Sequence, residues 1–409
     1  MHDDTTPSMT ISFAFRGGSE EDPQGEQGRA HMMASLLTEG TTTMPAIEFQ
    51  QRLNDYNITL GFEAGRESIQ GTLRFLTRYQ GEAVTLARAA LMAPAFRAED
   101  LARLQQQMLA VLKNSESDPE WRAQRLTMQQ MYGGTSYGHA ARGTPETLPN
   151  LKRESITAAW TRHLTRARLV ITAIGAPSPD EAAKIIDNIF GDLPDGSVWQ
   201  PPAIAIRERG TTWYSLWEGS KQNSIMFSAP ALLPTDADYP AALVLTDILG
   251  GGGFRSLLMD SLRQTLGATY GSSLYIMPLQ AAPAFMGQTA VVADKTDAVI
   301  GLIRRLWAEL PDNLNDERIK DSVTYITGSL TRELTSAPAI ADYYLGLRLQ
   351  HLPSDHAARL TRQLQALTID DLRNLAKRLY TERTPSFVVV GPVRPAGTTQ
   401  TITDIWAEQ

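Results

Sequence analysis

Cysteine is absent from all 409 residues, so this chain has no disulfide, no thiolate metal site and no cysteine nucleophile. A long apolar run is missing too: no stretch approaches the roughly 18 uncharged residues a membrane-spanning helix needs. Positive charge is not concentrated anywhere. The net charge is −7 and the lysines and arginines are interspersed with acids, which argues against nucleic acid as a partner. The opening "MHDDTTPSMTISFAF" lacks a charged segment followed by an apolar one, so no signal peptide is expected there, and Met1-His2 is expected to begin a mature or trimmed form. What remains is a folding-competent composition, 42% hydrophobic and 20% charged, in a chain long enough for two domains.

The domains are expected to be copies of one unit. "LKRESITAAWTRHLTRARLVITAIG" (151–175) and "LTIDDLRNLAKRLYTERTPSFVVVG" (367–391) align without a gap. Each reads as an amphipathic helix, a polar turn and an apolar strand ending at glycine, and Thr368 with Asp371 forms a capping-box pattern. Elsewhere "MTISFAF", the alternation Ile58, Leu60, Phe62, Ala64 and "SIQGTLRFL" predict strands in the first half. "KQNSIMFSAPA", "ATYGSSLYIM" and "AFMGQTAVVA" predict strands in the second. Helical patterns follow in "GEAVTLARAALM", "AEDLARLQQQMLAVLK", "TDAVIGLIRRLWAEL" and "NDERIKDSVTYITGSLTREL". Paired strands followed by runs of helices indicate α+β units with antiparallel-rich sheets. The expected division is residues 1–191, a proline-bearing linker at 192–210, and residues 211–409.

One stretch has the outline of a metal site. Peptidases with an H-x-x-E-H helix hold zinc through two histidines on one helical face, and the glutamate between them takes a proton from the metal-bound water. Here the corresponding residues are His31, Ala34 and Ser35. Alanine accepts no proton, and a serine hydroxyl stays protonated near neutral pH and is a poor zinc ligand. The bland alternative for His31 is a helix residue bonded or packed locally. The tetraglycine at 250–253 precedes no Gly-Lys-Ser/Thr, so it is a weak phosphate-loop signal.

The run "GSEEDPQGEQGRAHMMASLLTEGT" (18–41) resembles the segment around the inverted zinc motif of pitrilysin-like metallopeptidases, which include the mitochondrial processing peptidases. The resemblance continues in "SYGHAARGTPETLPNL" (136–151) and "ILGGGGFRSLLMDSLRQTLGATYGSSL" (248–274). It implies two homologous α+β domains. It also implies a third, glutamate ligand from a later helix, and the matching segment "LARLQQQMLAVLKN" (101–114) contains no Asp, Glu or His. Zinc sites generally need three protein ligands, so no cofactor is expected in this chain.

In the two-subunit bacterial branch of that family, one subunit carries zinc and the other an arginine and a tyrosine that reach the substrate. The resemblance implies those roles for Arg263 and Tyr270, in "LRQTLGATY". Locally, Gly267 is placed to end a helix whose last turn holds Arg263. Taken by themselves, an arginine there also suits the helix dipole, and a tyrosine opening a strand is commonly half-buried structure. One departure is that Arg255 stands early and Leu257 occupies the place where the family often has arginine. The expected partners are a zinc-bearing homologous subunit and a peptide substrate. The expected compartment is the periplasm, with the cytoplasm as the alternative. The rival reading is a structural assembly subunit like the core proteins of the respiratory cytochrome complex. The long glycine insertion of the processing-peptidase alpha subunit is missing, which disfavours presequence cleavage.

Overall fold

The computed structural model describes residues 1–3, 5–207, 210–266, 271–332 and 334–407, with the side chains of 264–266 and 331 outside that description. Two compact units interleave along the chain. The first comprises Met1–Leu112, His139–Pro201 and Glu333–Ser354, and the second comprises Lys113–Gly138, Pro202–Arg332 and Asp355–Gln409. Each therefore takes one helical segment from the opposite half of the sequence. The proline-bearing segment divides between them, with Trp199 in the first unit and Arg207 in the second. No helix among the described residues is long and apolar enough to cross a membrane.

The first unit is built on strands β1 (Ser8–Arg16), β2 (Thr59–Ala64), β3 (Ser68–Leu76) and β4 (Leu169–Gly175). They form an antiparallel sheet in the order β2-β3-β1-β4. β1 is covered on both sides. Met9, Ile11, Phe13 and Phe15 are buried on one face, and Phe13 meets Phe190 edge-on with ring centroids 4.9 Å apart. Burying a side chain of this size contributes about 1.5–3 kcal/mol. The helices of this unit are α1 (Arg29–Leu36), α2 (Ala46–Asp55), α3 (Gln80–Met92), α4 (Ala98–Ser115), α6 (Arg153–His163), α7 (Pro179–Phe190) and α12 (Ala337–Leu349). α5 (Pro119–Tyr132), which lies between α4 and α6 in the chain, belongs to the second unit.

α12 lies on β1 and β4, and polar groups fix its position. Ser12 Oγ donates to Asp342 at 2.6 Å, and Thr172 Oγ1 donates to the Ala341 carbonyl at 2.9 Å. Arg16 donates to the carbonyls of Arg348 and Leu349 at 2.6 and 2.8 Å, satisfying acceptors that the helix end leaves open.

The second unit carries β5 (Thr212–Leu216), β6 (Gln222–Pro230), β7 (Ser272–Met277), β8 (Ala284–Val292), β9 (Ser386–Gly391) and β10 (Gln400–Thr401), in the order β10-β5-β9-β6-β8-β7. Its β7-β8-β6-β9 part is antiparallel and repeats the strand order of the first sheet. β5 and β10 extend it with parallel pairs. One face packs on α8 (Tyr239–Thr246), α9 (Leu257–Leu266), α10 (Thr296–Ala308), α11 (Asp316–Arg332), α13 (His356–Ala366) and α14 (Ile369–Ala376) through a core that includes Phe227, Phe285, Trp307 and Tyr380. The other face receives α5, with Ala123 and Leu126 in one cluster with Met226, Val388 and Val390. α5 begins where Asp118 accepts from the Glu120 N–H at 2.9 Å, with Pro119 at the first helical position. The capping box expected at Thr368 and Asp371 is present. The α+β architecture with antiparallel-rich sheets is thus the one the sequence led us to expect.

Candidate functional site

The helix that resembles a zinc helix is positioned by a buried acid. Asp22 accepts from the N–H groups of Gly28 and Ala30, both at 3.0 Å, and so satisfies donors that the start of α1 would leave open. Gly28 has φ +91° and packs against Gly143, so a side chain there would be both strained and in collision with backbone. Burial dominates over these bonds and pushes the Asp22 carboxyl up to about 7.

His31 is half-buried on α1, and its Nδ1 is enclosed with no hydrogen-bond partner among the described residues. Desolvation lowers its pKa, Arg142 adds to the effect, and Glu63 opposes it. Glu63 and Arg142 are themselves 3.8 Å apart and exposed. Ala34 is 2% exposed, and Ser35 Oγ donates to the His31 carbonyl at 3.0 Å, back along its own helix. α4 has its acids, Glu99 and Asp100, in the first turn and none after. Its Gln105 donates to the carbonyls of Leu148 and Leu151, both at 2.9 Å. Among the described residues no three His, Asp or Glu side chains converge to hold a metal ion. The residue types at 34 and 35 and along α4 leave His31 without fellow ligands, and a catalytic zinc needs three.

Next to α1 lies a charge cluster that the sequence did not disclose. Glu21 pairs with Arg162 and Arg168, and its Oε2 is 3.3 Å from His163 Nδ1. His163 is fully buried and neither ring nitrogen has a hydrogen-bond partner among the described residues, and desolvation pushes its pKa down to about 3. Glu20, 6% exposed, accepts from the Gly18 N–H and from Trp199 Nε1, both at 2.8 Å, and burial pushes its carboxyl up to about 8. These groups hold the loop before α1 in place. Glu21 and its two arginines are paired with one another, and among the described residues the cluster forms no metal site.

The second candidate lies on α9. Ser256 caps it, accepting from the Met259 N–H at 3.3 Å, and the helix turns Leu258 and Leu262 into the core. Arg263 is on the opposite side, exposed, with no carboxylate partner among the described residues. Its guanidinium carbon is 5.8 Å from the centre of the Phe254 ring, itself 74% exposed. Arg255, the residue out of place in the motif, turns elsewhere: it is 3.6 Å from Asp247 and 4.5 Å from the Tyr325 ring centre. Tyr270 and Gly267 lie outside the described residues.

Residues 1–145 match the family model of insulinase, peptidase family M16, and residues 150–324 match that of the peptidase M16 inactive domain. A relative described as a non-peptidase homolog, YmxG of Helicobacter pylori, is 27% identical over 380 residues, covering 91% of this chain and 86% of that protein. Among solved structures, a peptidase M16 inactive domain from Pseudomonas fluorescens is similar with a TM-score of 0.89 at 24% identity, over 97% of this chain and 95% of that one. A protease from Helicobacter pylori is similar with a TM-score of 0.80 at 14% identity, over 95% of each chain. At these identities the structural likeness is one of fold.

Proposed function

This chain belongs to peptidase family M16 as an inactive, zinc-less member, and from that we propose that it serves as the substrate-binding subunit of a heterodimeric zinc metallopeptidase. Its partner is a homologous subunit with an intact H-x-x-E-H helix. A zinc ion held by that partner would supply the activated water for peptide hydrolysis. In this chain, Arg263 donates charge-assisted hydrogen bonds to the carbonyl oxygen as negative charge develops on it, and the Tyr270 phenol donates a neutral one.

The observation that carries the reading is the combination of a helix stripped of metal ligands with an arginine held out to solvent. Ala34 and Ser35 remove the chemistry of the first site, while Arg263 is exposed and free of any carboxylate among the described residues. The substrates are unfolded or short peptides, and the compartment is the periplasm.

Co-expression with a homologue that carries the intact motif tests the proposal. The expected product is a one-to-one complex with zinc in the partner and a peptidase activity that neither chain shows alone. A partner that hydrolyses peptides equally well without this chain, or that fails to bind it, contradicts the proposal.

A further inference from the structure

In the second unit, β6, β8 and β7 place polar side chains side by side on the face that carries α5. Gln288 sits in register between Met226 on β6 and Ser273 on β7, and Ser224 is opposite Ala290. Lower on this face, Ala123 and Leu126 of α5 pack with Met226 and Met286 in an apolar cluster. Around the first turn of α5 the face opens into a cavity of about 380 Å³ whose lining includes Glu120, Gln222, Ser224, Ser272, Ser273 and Gln288. A sheet face built only to pack would remain apolar here, as it is beneath α5.

The lining has unused hydrogen-bonding capacity. The side chains of Gln222, Ser224, Ser273 and Gln288 make no hydrogen bond to any described residue. Two carboxamides and two hydroxyls each donate and accept, and among the described residues no lysine or arginine lines the cavity. The group that complements such a surface is one that also donates and accepts without a formal charge. The carboxylate of Glu120 at the exposed rim disfavours an anionic guest.

We infer that this cavity is a subsite for a carboxamide side chain, glutamine or asparagine, of a peptide ligand. Its placement relative to the chemistry rests on the proposed function: Gly271, which also lines the cavity, directly follows Tyr270 in the chain. The subsite then reads the residue beside the carbonyl that Arg263 and Tyr270 engage. A site made to hydrogen-bond a guest rejects an isostere that cannot return the bonds, so it separates glutamine from methionine by polarity and from glutamate by charge.

Titration calorimetry of the full chain with acetyl-Ala-Ala-X-Ala-Ala-amide, X being Gln, Met, Glu or Arg, tests the assignment. The Gln peptide is expected to bind about tenfold or more tighter than the Met and Glu peptides. The double variant Gln222→Leu/Gln288→Leu is expected to lose that preference, and Ser273→Ala alone to reduce it, keeping the test open should the double variant fail to fold. Arg263→Ala is expected to weaken the Gln and Met peptides by the same factor and leave their ratio unchanged. Equal affinities, tighter binding of the Glu or Arg peptide, no binding of any peptide, or a preference that survives the cavity variants overturns the subsite. An unchanged affinity in Arg263→Ala with the preference intact would instead contradict the role of Arg263 and leave the subsite standing.

Discussion

Ser35 donates its hydroxyl hydrogen to the carbonyl oxygen of His31, 3.0 Å away, in the turn where a zinc-holding helix presents its second imidazole. The helix thus satisfies itself locally with the side chain that replaces a ligand. Together with the acid-free stretch of α4, this leaves one weakly basic imidazole where three ligands are required.

Metal content follows directly. After equilibration with zinc and removal of the excess, elemental analysis of the isolated chain is expected to find less than about a tenth of an equivalent, since one imidazole cannot hold the ion. The double substitution Ala34→Glu/Ser35→His restores the base and the second ligand but not the third, so retention should remain far below one equivalent. Stoichiometric zinc in the unmodified chain would refute the reading of this helix.

The buried acids predict an unusual pH dependence. Glu20 titrates near 8 in the folded chain and near 4.5 when unfolded, so the folded state binds the extra proton. Its contribution to stability is present below the unfolded value and is lost as pH rises through about 8, and Asp22 acts in the same direction up to about 7. His163 acts oppositely: held neutral in the fold, it contributes above its usual value and loses this as pH falls towards about 3. The variant Glu20→Gln removes the first effect alone. Its melting temperature relative to the parent is expected to rise from pH 5 to about pH 8 and then level off, by about 2–4 °C for each kcal/mol of ionisation cost removed. A constant difference over that range would show that Glu20 does not ionise with folding.

Two glycines support matching positions in the two sheets. A Cβ at Gly71 would collide with the ring of Phe13, its partner across the strands, and one at Gly287 would collide with the ring of Phe227, its own cross-strand partner. Gly71→Ala and Gly287→Ala are each expected to lower unfolding stability by about 1–3 kcal/mol, the usual cost of overfilling a packed core. Denaturant titration measures this, and a neutral outcome at both positions would mean that the rings swing away freely.

This Phe–Gly pairing also shows how much of the fold was open to reading. The terminal helix–strand–glycine blocks are contiguous and keep their spacing, so periodicity and one capping box revealed the repeat and the antiparallel strands. Contacts between distant residues were not accessible in that way. Asp342 meets Ser12 across 330 positions, and nothing local to α12 indicates that it belongs on the first sheet while α5 belongs on the second. The parallel strands β5 and β10 are short and carry no pattern of their own.

At the candidate site, the losses at Ala34 and Ser35 were legible because each removes a chemical group. "SEED" reads as a solvated acidic loop, yet Glu20 and Asp22 are 6% and 4% exposed. The groups that make this tolerable, Trp199 for Glu20 and Arg162 and Arg168 beside Glu21, lie more than a hundred residues away. His163 is in the same cluster. The polar cavity beside Gly271 gave no signal either, since a Gln and Ser pattern on a strand is ordinary for an exposed face.

The central claim is that this chain donates hydrogen bonds to a reaction whose metal is held elsewhere, and steady-state kinetics of the reconstituted complex test it most directly. With zinc content and complex formation verified as unchanged, Arg263→Ala is expected to lower turnover by about a hundredfold or more, as loss of an oxyanion donor does, and Tyr270→Phe to lower it in the same manner. Full turnover in both variants would contradict the claim and leave this chain a purely structural subunit.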